Sequence, residues 1–505
     1  MPNATDNKPA ANPQTAPEEQ YPTKLSVTQH KLTLGRQTLA YEARADWLQL
    51  RKKHRPLGKV FHVAYFLQPA KQAAARPLTF VFNGGPGAAS AYLHMGALGP
   101  RRIVFGAQGT VAAPPAQVVD NLETWLPFTD LVFIDPIGTG FSRSLDPVKK
   151  DDAKGADDDK ENPEYWEVDR DLESLGEFIQ AFLSQHGRWT SPAFLAGESY
   201  GGYRVAKMAR KLQEGYGVGL NGAILISPAI EFATFLQSDY DMTSWIETLP
   251  TMAAVAHFHG KCDAIGKQTP LAQVLERAET FAKTELLNWL ARGNDVNAKE
   301  AAKTAAAMSK WIGIPVEIIR RANGRINIME FSRNLLRDEE KLVGLYDGAV
   351  TNRDPYPNRD AYEGPDPTLM SIDRLFTAGI NHHLRDTLKT DTELDYRLLS
   401  WQVNSAWKFT KDNKWPRLIG ALDDLRYGMS LNPHMRVAIS HGYYDLVTPY
   451  YSTNRLSRLM KLGKEQERNL VIKHYRGGHM FYSWDDSRQE FLSAMTAFYQ
   501  AALGK

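Results

Sequence analysis

The most informative shortage in this chain of 505 residues is cysteine, because Cys262 is the only one. A single cysteine cannot form an internal disulfide, so the fold must be stabilised by its hydrophobic core. An excess of charge of one sign is also lacking, since the net charge is +2. Such a weak field does not favour nucleic acid or an anionic membrane, so we expect neither as a partner. The oligomeric state stays open.

Long hydrophobic runs are missing as well. No apolar stretch approaches the ~18 residues needed to cross a bilayer, and the first residues lack the basic and apolar regions of a signal peptide. We interpret residues 1–23, which are rich in Pro, Ala, Asn and acids, as a disordered tail. As written, the sequence predicts a cytoplasmic protein, or a periplasmic or secreted one if an upstream signal has been removed.

The sequence does contain an alternation of strand and helix patterns. Alternating apolar residues in 24–68 predict antiparallel strands with one buried face. Short continuous apolar runs then alternate with amphipathic helices, among them LTFVF, DLVFI, SPAFLA and GAILIS. Such runs predict an α/β fold, with a mostly parallel sheet covered by helices on both faces.

A mainly helical region interrupts this pattern. Most of residues 231–432 show helical periodicity, including IMEFSRNLLRDEEKLVG at 328–344, and strand patterns return with MRVAIS. We predict an α/β core formed by residues 24–230 and 433–505. The region 231–432 is then a domain-sized helical insertion, or cap.

The stretch GESYG at 197–201 places Ser199 between two glycines, either as a reactive nucleophile or as a polar residue in a tight turn. The G-x-S-x-G pattern alone is a modest signal, since chance yields one in such a chain with a probability of about 0.1–0.2. Its context raises its value, because a predicted strand precedes it and a helix follows, as a nucleophile elbow requires. The helix N-terminus also favours negative charge that develops there.

A nucleophilic serine needs a base, and the base needs an acid to orient it. In α/β-hydrolases these residues follow in the chain order Ser, Asp, His. Asp445 and His479 each lie in a loop at the carboxyl end of a predicted strand, where open α/β sheets place their sites. Of the competing histidines, His441 would break the chain order and His474 lies within the strand. We therefore predict Ser199, Asp445 and His479 as a catalytic triad.

Two backbone N–H groups must stabilise the oxyanion of a tetrahedral intermediate. Tyr200, directly after the predicted nucleophile, supplies one of them. The loop NGGPG at 83–87 is the natural source of the second, because glycine lets the backbone approach a substrate closely. The alternative is that NGGPG is a plain tight turn.

Other reactive residue types give no site. The histidine pairs at 257 and 259 and at 382 and 383 have no third partner at metal-ligand spacing. Cys262 lies in HGKCDAIGK, which matches no known motif. We predict no metal and no cofactor.

Together these motifs resemble the serine carboxypeptidase family, peptidase family S10. The matching stretches are FNGGPGAAS, FIDPIGTGFS, AGESYGG, GYYD and GGHM, and they follow the family's order between residues 82 and 480. The resemblance implies an α/β-hydrolase fold with the insertion over the active site, in a member of the bacterial type without disulfides. It also implies the same triad, with Gly85 and Tyr200 as the oxyanion donors.

The resemblance further implies a site for the free C-terminal carboxylate of a peptide. The family binds this group with an Asn in the NGGPG loop and the Glu before the nucleophile, here Asn83 and Glu198. A protonated Glu198 could share its proton with the carboxylate, so binding would strengthen at acid pH. Two family residues differ: a Trp two residues before the Asn is Val81 here, and a second Glu fourteen residues after it is Ala97.

We therefore predict a serine-type carboxypeptidase that hydrolyses C-terminal peptide bonds through an acyl-enzyme on Ser199. Its substrates are peptides with a free C-terminus. Ala97 keeps open an esterase or acyltransferase with the same triad, and a catalytically inactive, hydrolase-like binding protein is a third interpretation. Arg101, Arg102 and Arg204 are candidates for a cation that binds the carboxylate instead, although we expect Arg204 to face solvent or a core edge.

Overall fold

The computed structural model describes residues 23–52, 55–68, 76–145, 163–235, 237–359, 366–409 and 419–504. The tail predicted for residues 1–23 lies outside these residues, apart from Thr23. Among the described helices, none combines the length and the apolar character that a membrane crossing requires.

The strands of the described residues, in chain order, are β1 (Ser26–Leu34), β2 (Gln37–Lys52), β3 (Arg55–Gln68), β4 (Leu78–Phe82), β5 (Arg101–Ile103), β6 (Val118–Asp120), β7 (Asp130–Ile134), β8 (Arg143–Ser144), β9 (Ala193–Glu198), β10 (Leu220–Ile226), β11 (Lys341–Val343), β12 (Thr351–Arg353), β13 (Arg436–Gly442) and β14 (Leu470–Tyr475). The main sheet has the order β1-β2-β3-β7-β4-β9-β10-β13-β14, with β8 paired to β3. The pairs from β1 to β7 are antiparallel, and those from β7 to β14 are parallel. The predicted sheet is confirmed.

The helices of the described residues are α1 (Ala91–Leu93), α2 (Val168–Gln185), α3 (Tyr200–Tyr216), α4 (Thr243–Phe258), α5 (Leu271–Phe281), α6 (Leu287–Arg292), α7 (Ala298–Ile312), α8 (Val316–Arg321), α9 (Ile328–Asn334), α10 (Leu369–His382), α11 (Trp401–Ala406), α12 (Leu422–Leu431), α13 (Tyr450–Leu459), α14 (Lys464–Asn469) and α15 (Asp485–Ala502). A π-helical turn, His94–Leu98, follows α1 directly. Helices α1, α10 and α15 pack in one hydrophobic cluster with the sheet, and α2, α3 and α12 pack in a second.

Buried residues of the parallel strands alternate between these two clusters. In β9, for example, Phe194 and Ala196 belong to the first cluster and Leu195 to the second. Because both faces of the sheet are covered, most positions of the central parallel strands are apolar. This explains why the central strands read as continuous apolar runs.

Residues 231–432 pack in two different ways. Helices α4 to α9 share a third hydrophobic cluster, which also includes Tyr444, Leu446 and Trp484 from the loops after β13 and β14. Helices α10, α11 and α12 instead contribute residues to the two clusters on the sheet. The third cluster therefore rests on the loops that carry Asp445 and His479, while the division of the chain at 231 and 432 stays a prediction.

The helix predicted for residues 328–344 is shorter than the sequence pattern indicates. Helix α9 ends at Asn334, and Lys341–Val343 form strand β11, which pairs with β12. Glu340 has a φ of +52°, so the chain turns there instead of continuing a helix. The turn lets Leu342 and Val343 become buried in the strand pair.

Candidate active site

Ser199 forms the sharp turn between β9 and α3. Its φ of +59° is uncommon for a residue with a side chain, and a strained strand-to-helix turn is the mark of a nucleophile elbow. The Ser199 N–H donates to the carbonyl oxygen of Ile226 at 2.9 Å. The Ser199 carbonyl oxygen accepts from Gly202 N–H at 2.9 Å and from Ala229 N–H at 3.1 Å. The turn is therefore fixed to β10 and to the segment after it.

The glycines beside Ser199 are needed because backbone segments approach each other closely. A Cβ at Gly197 would overlap the carbonyl oxygen of Gly201, and one at Gly201 would lie 2.6 Å from the carbonyl oxygen of Phe82. The NGGPG loop packs on the same turn, since a Cβ at Gly84 would lie 2.8 Å from the Glu198 carbonyl oxygen. Larger side chains would separate the loop from the elbow.

Both residues predicted to donate to an oxyanion lie on these touching segments. Tyr200 begins α3, and a Cβ at Gly84 would also overlap the Tyr200 amide nitrogen. Gly85 follows in the loop with a φ of +97°, which a residue with a side chain rarely adopts. The loop is closed by a hydrogen bond from Ala88 N–H to the Gly84 carbonyl oxygen at 3.1 Å. The segments that carry the two amides are thus in backbone contact.

Asp445 and His479 are in direct contact in the loops that follow β13 and β14. Asp445 Oδ2 lies 2.7 Å from His479 Nδ1, and Asp445 is fully buried. Asp445 Oδ1 accepts from the N–H groups of Val447 and Thr448, each at 2.9 Å. Because Nδ1 faces a carboxylate, the neutral imidazole carries its proton there and presents an unprotonated Nε2. A general base needs this tautomer.

Backbone contacts fix the loop of His479. Its N–H donates to the carbonyl oxygen of Tyr346 at 2.5 Å, and its carbonyl oxygen accepts from Ser227 Oγ at 2.7 Å. Gly348 N–H donates to the carbonyl oxygen of Tyr444 at 2.9 Å. The segment 346–348 therefore holds the loops of His479 and Asp445 together.

Glu198 forms hydrogen bonds with Asn83 and Tyr482. Asn83 Nδ2 donates to Glu198 Oε2, and the Tyr482 hydroxyl donates to Glu198 Oε1 at 2.8 Å. Asn83 Oδ1 accepts from Leu93 N–H at 3.0 Å, which fixes the orientation of the amide. All three side chains are buried. The structure thus brings together the two residues predicted to bind a carboxylate and adds a tyrosine to them.

Glu198 and His479 influence each other's protonation. Burial raises the pKa of Glu198 to about 7, although the positive charge of His479 and the hydrogen bonds from Tyr482 and Asn83 oppose this rise. Burial lowers the pKa of His479, but Asp445, its hydrogen bond and the charge of Glu198 outweigh burial and raise the pKa above 6.5. The hydrogen bond from Tyr482, three residues after His479, likewise places Glu198 beside the loop of His479.

Sequence reasoning missed Tyr482 and Asp347. Tyr482 lies just beyond the GGHM motif, and no pattern there indicates a contact with Glu198. Asp347 is buried and accepts from Trp484 Nε1 at 2.9 Å, and burial raises the pKa of Asp347 to about 7. An acid between apolar residues and a glycine, in LVGLYDGAV, is a signal that could have identified Asp347.

The three arginines considered as carboxylate ligands all have acidic partners in the protein. Arg204 is buried, and its Nε lies 2.7 Å from Asp171 Oδ2. The expectation that Arg204 faces solvent or a core edge is therefore wrong, because Asp171 on α2 balances its charge inside the protein. Arg101 and Arg102 each form an ion pair with an acid in 120–123.

The competing histidines have other contacts. His441 is buried with its Nε2 2.7 Å from Thr453 Oγ1, and the ring of His474 stacks on Tyr443. Over the part of the chain that the structure describes, no three His, Cys, Asp or Glu residues are grouped so that they could hold a metal ion. Cys262 is buried.

Comparison with known proteins identifies relatives of this chain. The family model for serine carboxypeptidase, Peptidase_S10, matches residues 36–482. Serine carboxypeptidase-like 47 of Arabidopsis thaliana is 24% identical over 228 residues, which are 43% of this chain and 40% of that protein. The pheromone-processing carboxypeptidase kex1 of Schizosaccharomyces japonicus is 30% identical over 161 residues, which are 30% of this chain and 26% of that protein. The matched segments therefore span less than half of these curated relatives.

Among solved structures, the prohormone-processing carboxypeptidase Kex1(delta)p of Saccharomyces cerevisiae superimposes with a TM-score of 0.51. It is 14% identical, and the match covers 90% of this chain and 91% of that chain. At this identity the likeness concerns the fold, and together with the strand order it confirms the predicted α/β-hydrolase fold. Because the family match extends over most of its length, the chain belongs to the serine carboxypeptidase family.

Proposed function

We propose that this protein is a serine carboxypeptidase that hydrolyses the C-terminal peptide bond of peptides through an acyl-enzyme on Ser199. The observation that carries the proposal is the 2.7 Å contact between His479 Nδ1 and the buried Asp445, at the same edge of the sheet as the strained Ser199 turn. Membership of the family supports the class of reaction. The individual catalytic roles below are part of this proposal, and general enzyme chemistry supports them.

In the first half of the reaction, Ser199 Oγ attacks the carbonyl carbon of the C-terminal peptide bond while His479 Nε2 accepts the hydroxyl proton. The oxyanion of the tetrahedral intermediate accepts hydrogen bonds from the N–H groups of Gly85 and Tyr200. The C–N bond then breaks as His479 gives its proton to the leaving nitrogen. The C-terminal amino acid departs, and the remaining peptide stays esterified to Ser199.

In the second half, a water molecule attacks the ester carbonyl while His479 accepts its proton. Collapse of the second intermediate breaks the ester bond, and His479 returns the proton to Ser199 Oγ. Asp445 accepts the hydrogen bond from His479 Nδ1 and stabilises the imidazolium that forms in each half.

Asn83 and Glu198 bind the carboxylate of the substrate in this proposal. Asn83 Nδ2 donates one hydrogen bond, and protonated Glu198 donates another. Because the pKa of Glu198 is about 7, this acid carries a proton at acid and near-neutral pH. Ionised Glu198 would repel the substrate, so binding weakens as the pH rises above about 7.

The proposal is tested by comparing the wild type with Ser199→Ala. We expect a fluorophosphonate to label the wild type and not the variant, and hydrolysis of N-blocked dipeptides to fall by about 10⁶-fold in kcat. Ser493→Ala, a change on the exposed face of α15, is the matched control and should retain both properties. Folded wild-type protein that takes up no label would instead identify an inactive binding protein.

An esterase or acyltransferase with the same triad is the second candidate, favoured by Ala97 in place of an acid. The two candidates differ in their need for a free carboxylate. A carboxypeptidase should prefer an N-blocked dipeptide over its C-terminal amide, because the amide replaces one acceptor oxygen by an NH₂ group that would face a donor. Equal turnover of the two compounds would reject the carboxylate site and favour the second candidate.

For the compartment, we propose the cytoplasm, where disulfides are rare, on the basis of the single cysteine. A periplasmic or secreted location is the alternative. Cell fractionation, with serine-dependent labelling as the readout, separates the two.

A further inference from the structure

Tyr482 contacts the oxygen of Glu198 that Asn83 leaves available. It lies in the helical turn Phe481–Ser483, which closely follows His479, and its side chain is fully buried. Its hydroxyl donates to Glu198 Oε1 at 2.8 Å, whereas Asn83 Nδ2 donates to Oε2. Glu198 therefore has one neutral donor on each oxygen.

The tyrosine ring packs against the turn in which the family's second acid is missing. A Cβ at Gly96 would lie 2.8 Å from Tyr482 Cε2, so the ring lies directly on the π-helical turn His94–Leu98. The next residue of that turn is Ala97, the position at which the family has its second glutamate. The position of the missing acid is thus next in sequence to the residue on which the tyrosine ring packs.

The two donors determine which oxygen of neutral Glu198 carries the proton. Burial raises the pKa of the Tyr482 hydroxyl, so the group keeps its proton, and it donates that proton to Glu198 Oε1 at 2.8 Å. This hydrogen bond keeps Oε1 as an acceptor. The acidic proton then belongs on Oε2, next to Asn83 Nδ2. The Glu198 O–H and the Asn83 N–H then lie side by side, and the two oxygens of the substrate's C-terminal carboxylate can accept one hydrogen bond from each.

We propose that Tyr482 is a positioning residue that makes this site specific for a free C-terminal carboxylate. It substitutes for the family's second glutamate, whose position is occupied by Ala97 in this chain. It acts through Glu198, whose proton it directs toward the substrate. The inference rests on the proposed carboxypeptidase function and deepens it. It also explains how a chain without the family's second glutamate can still offer two donors, Asn83 Nδ2 and protonated Glu198, to a substrate carboxylate.

Removal of the hydroxyl should have two separate effects. The ratio of kcat/KM for an N-blocked dipeptide to that for its C-terminal amide should fall, because the proton of Glu198 is no longer directed. The pKa of Glu198 should rise, because its ionised form loses a hydrogen bond while burial is unchanged. The groups that face Glu198 and remain in place are Asn83, His479, Asp445 and, from α1, Tyr92.

The experiment measures both effects in Tyr482→Phe. We expect the acid-to-amide ratio to fall about tenfold, mainly through KM for the acid. The alkaline limit of kcat/KM for the acid should move to higher pH. A merely structural role would alter both substrates alike and leave this limit where it is.

A second variant disturbs the hydrogen bond between Tyr482 and Glu198 without removing the hydroxyl. Gly96→Ala keeps the Tyr482 hydroxyl but pushes the ring away, since the new Cβ would lie 2.8 Å from Cε2. We expect the same fall in ratio. Tyr499→Phe is the matched control, because it removes another buried tyrosine hydroxyl, bonded to Thr79 Oγ1 at 2.5 Å, and should leave the ratio unchanged.

The outcomes separate this inference from the proposed function. If the wild type prefers the acid and Tyr482→Phe and Gly96→Ala keep that preference, the role of Tyr482 is rejected while the carboxypeptidase stands. If the wild type turns over acid and amide equally, the carboxylate site and the role of Tyr482 fail together. A fall in ratio for Tyr499→Phe as large as for Tyr482→Phe would also reject the inference.

Discussion

Strand β7 has a buried aspartate at each end, and the two are held in different ways. Asp130, at the amino end, pairs with Arg76 Nε at 2.7 Å and with Arg188 Nη1 at 2.8 Å. Asp135, directly after the carboxyl end, accepts from Ser90 Oγ at 2.8 Å and from Tyr396 at 3.3 Å. One acid therefore has cationic partners, and the other has neutral donors.

Two further buried acids, Glu198 and Asp347, also accept hydrogen bonds from neutral donors. Burial raises the pKa of Asp135 to about 6, and those of Glu198 and Asp347 to about 7. All three lie at the carboxyl ends of strands or in the loops there, where neutral groups donate to them. An acid without a cationic partner can take up a proton near neutral pH, which catalysis and ligand binding can use. Asp130, held by two arginines, instead belongs to a buried ion-pair cluster.

The largest effect that tests this comparison is expected for Asp445→Asn. The amide can donate to His479 Nδ1, which forces the proton onto Nε2 and removes the base. We expect kcat for an N-blocked dipeptide to fall by about 10⁴-fold. Asp130→Asn makes the same chemical change at the other end of the sheet and should leave kcat per folded molecule unchanged. A loss below tenfold in Asp445→Asn would contradict the assigned role.

A smaller but still large effect is expected on stability in Asp130→Asn. The change leaves Arg188 buried without its charged partner, and breaking a buried ion pair costs about 3–5 kcal/mol in the free energy of unfolding. Urea denaturation measures this loss. Asp135→Asn should lose only about 1 kcal/mol, because neutral donors bond an amide oxygen nearly as well as a carboxylate. Equal losses of unfolding free energy in the two variants would contradict the distinction between the two ends of β7.

The sequence predicted those features that depend on local patterns. The continuous apolar runs indicated the parallel sheet, and the glycines around Ser199 indicated the elbow, because each signal lies within a few neighbouring residues. Chain order and loop placement then predicted Asp445 and His479 as partners, and the structure places His479 Nδ1 2.7 Å from Asp445 Oδ2. The family resemblance added Asn83 and Glu198.

The missed features depend on contacts between distant parts of the chain. Tyr482 is separated from Glu198 by 284 residues, and no motif connects them. The burial of Arg204 depends on Asp171, which lies 33 residues away on another helix. The end of α9 depends on the pairing of β11 with β12. Local periodicity cannot encode these contacts, because they arise only when the sheet and its helices are assembled.

The smallest effect, and the most specific, is expected in the pH dependence of kcat/KM. Below the raised pKa of His479 the imidazole is protonated, so activity falls at acid pH for every substrate. Above about pH 7 Glu198 ionises and repels a substrate carboxylate, so activity falls about tenfold per pH unit for the acid alone. We expect a narrow bell near neutral pH for an N-blocked dipeptide. Its C-terminal amide should instead show a curve that rises and stays level.

Glu198→Gln should separate these two limbs. The alkaline fall for the acid should disappear, because no group ionises beside the substrate carboxylate. The acid limb should move to lower pH for both substrates, because the negative charge that helps to raise the pKa of His479 is gone. An alkaline fall that persists in Glu198→Gln would assign this limb to another group. It would also show that the ionisation of Glu198 does not control the binding of the substrate carboxylate.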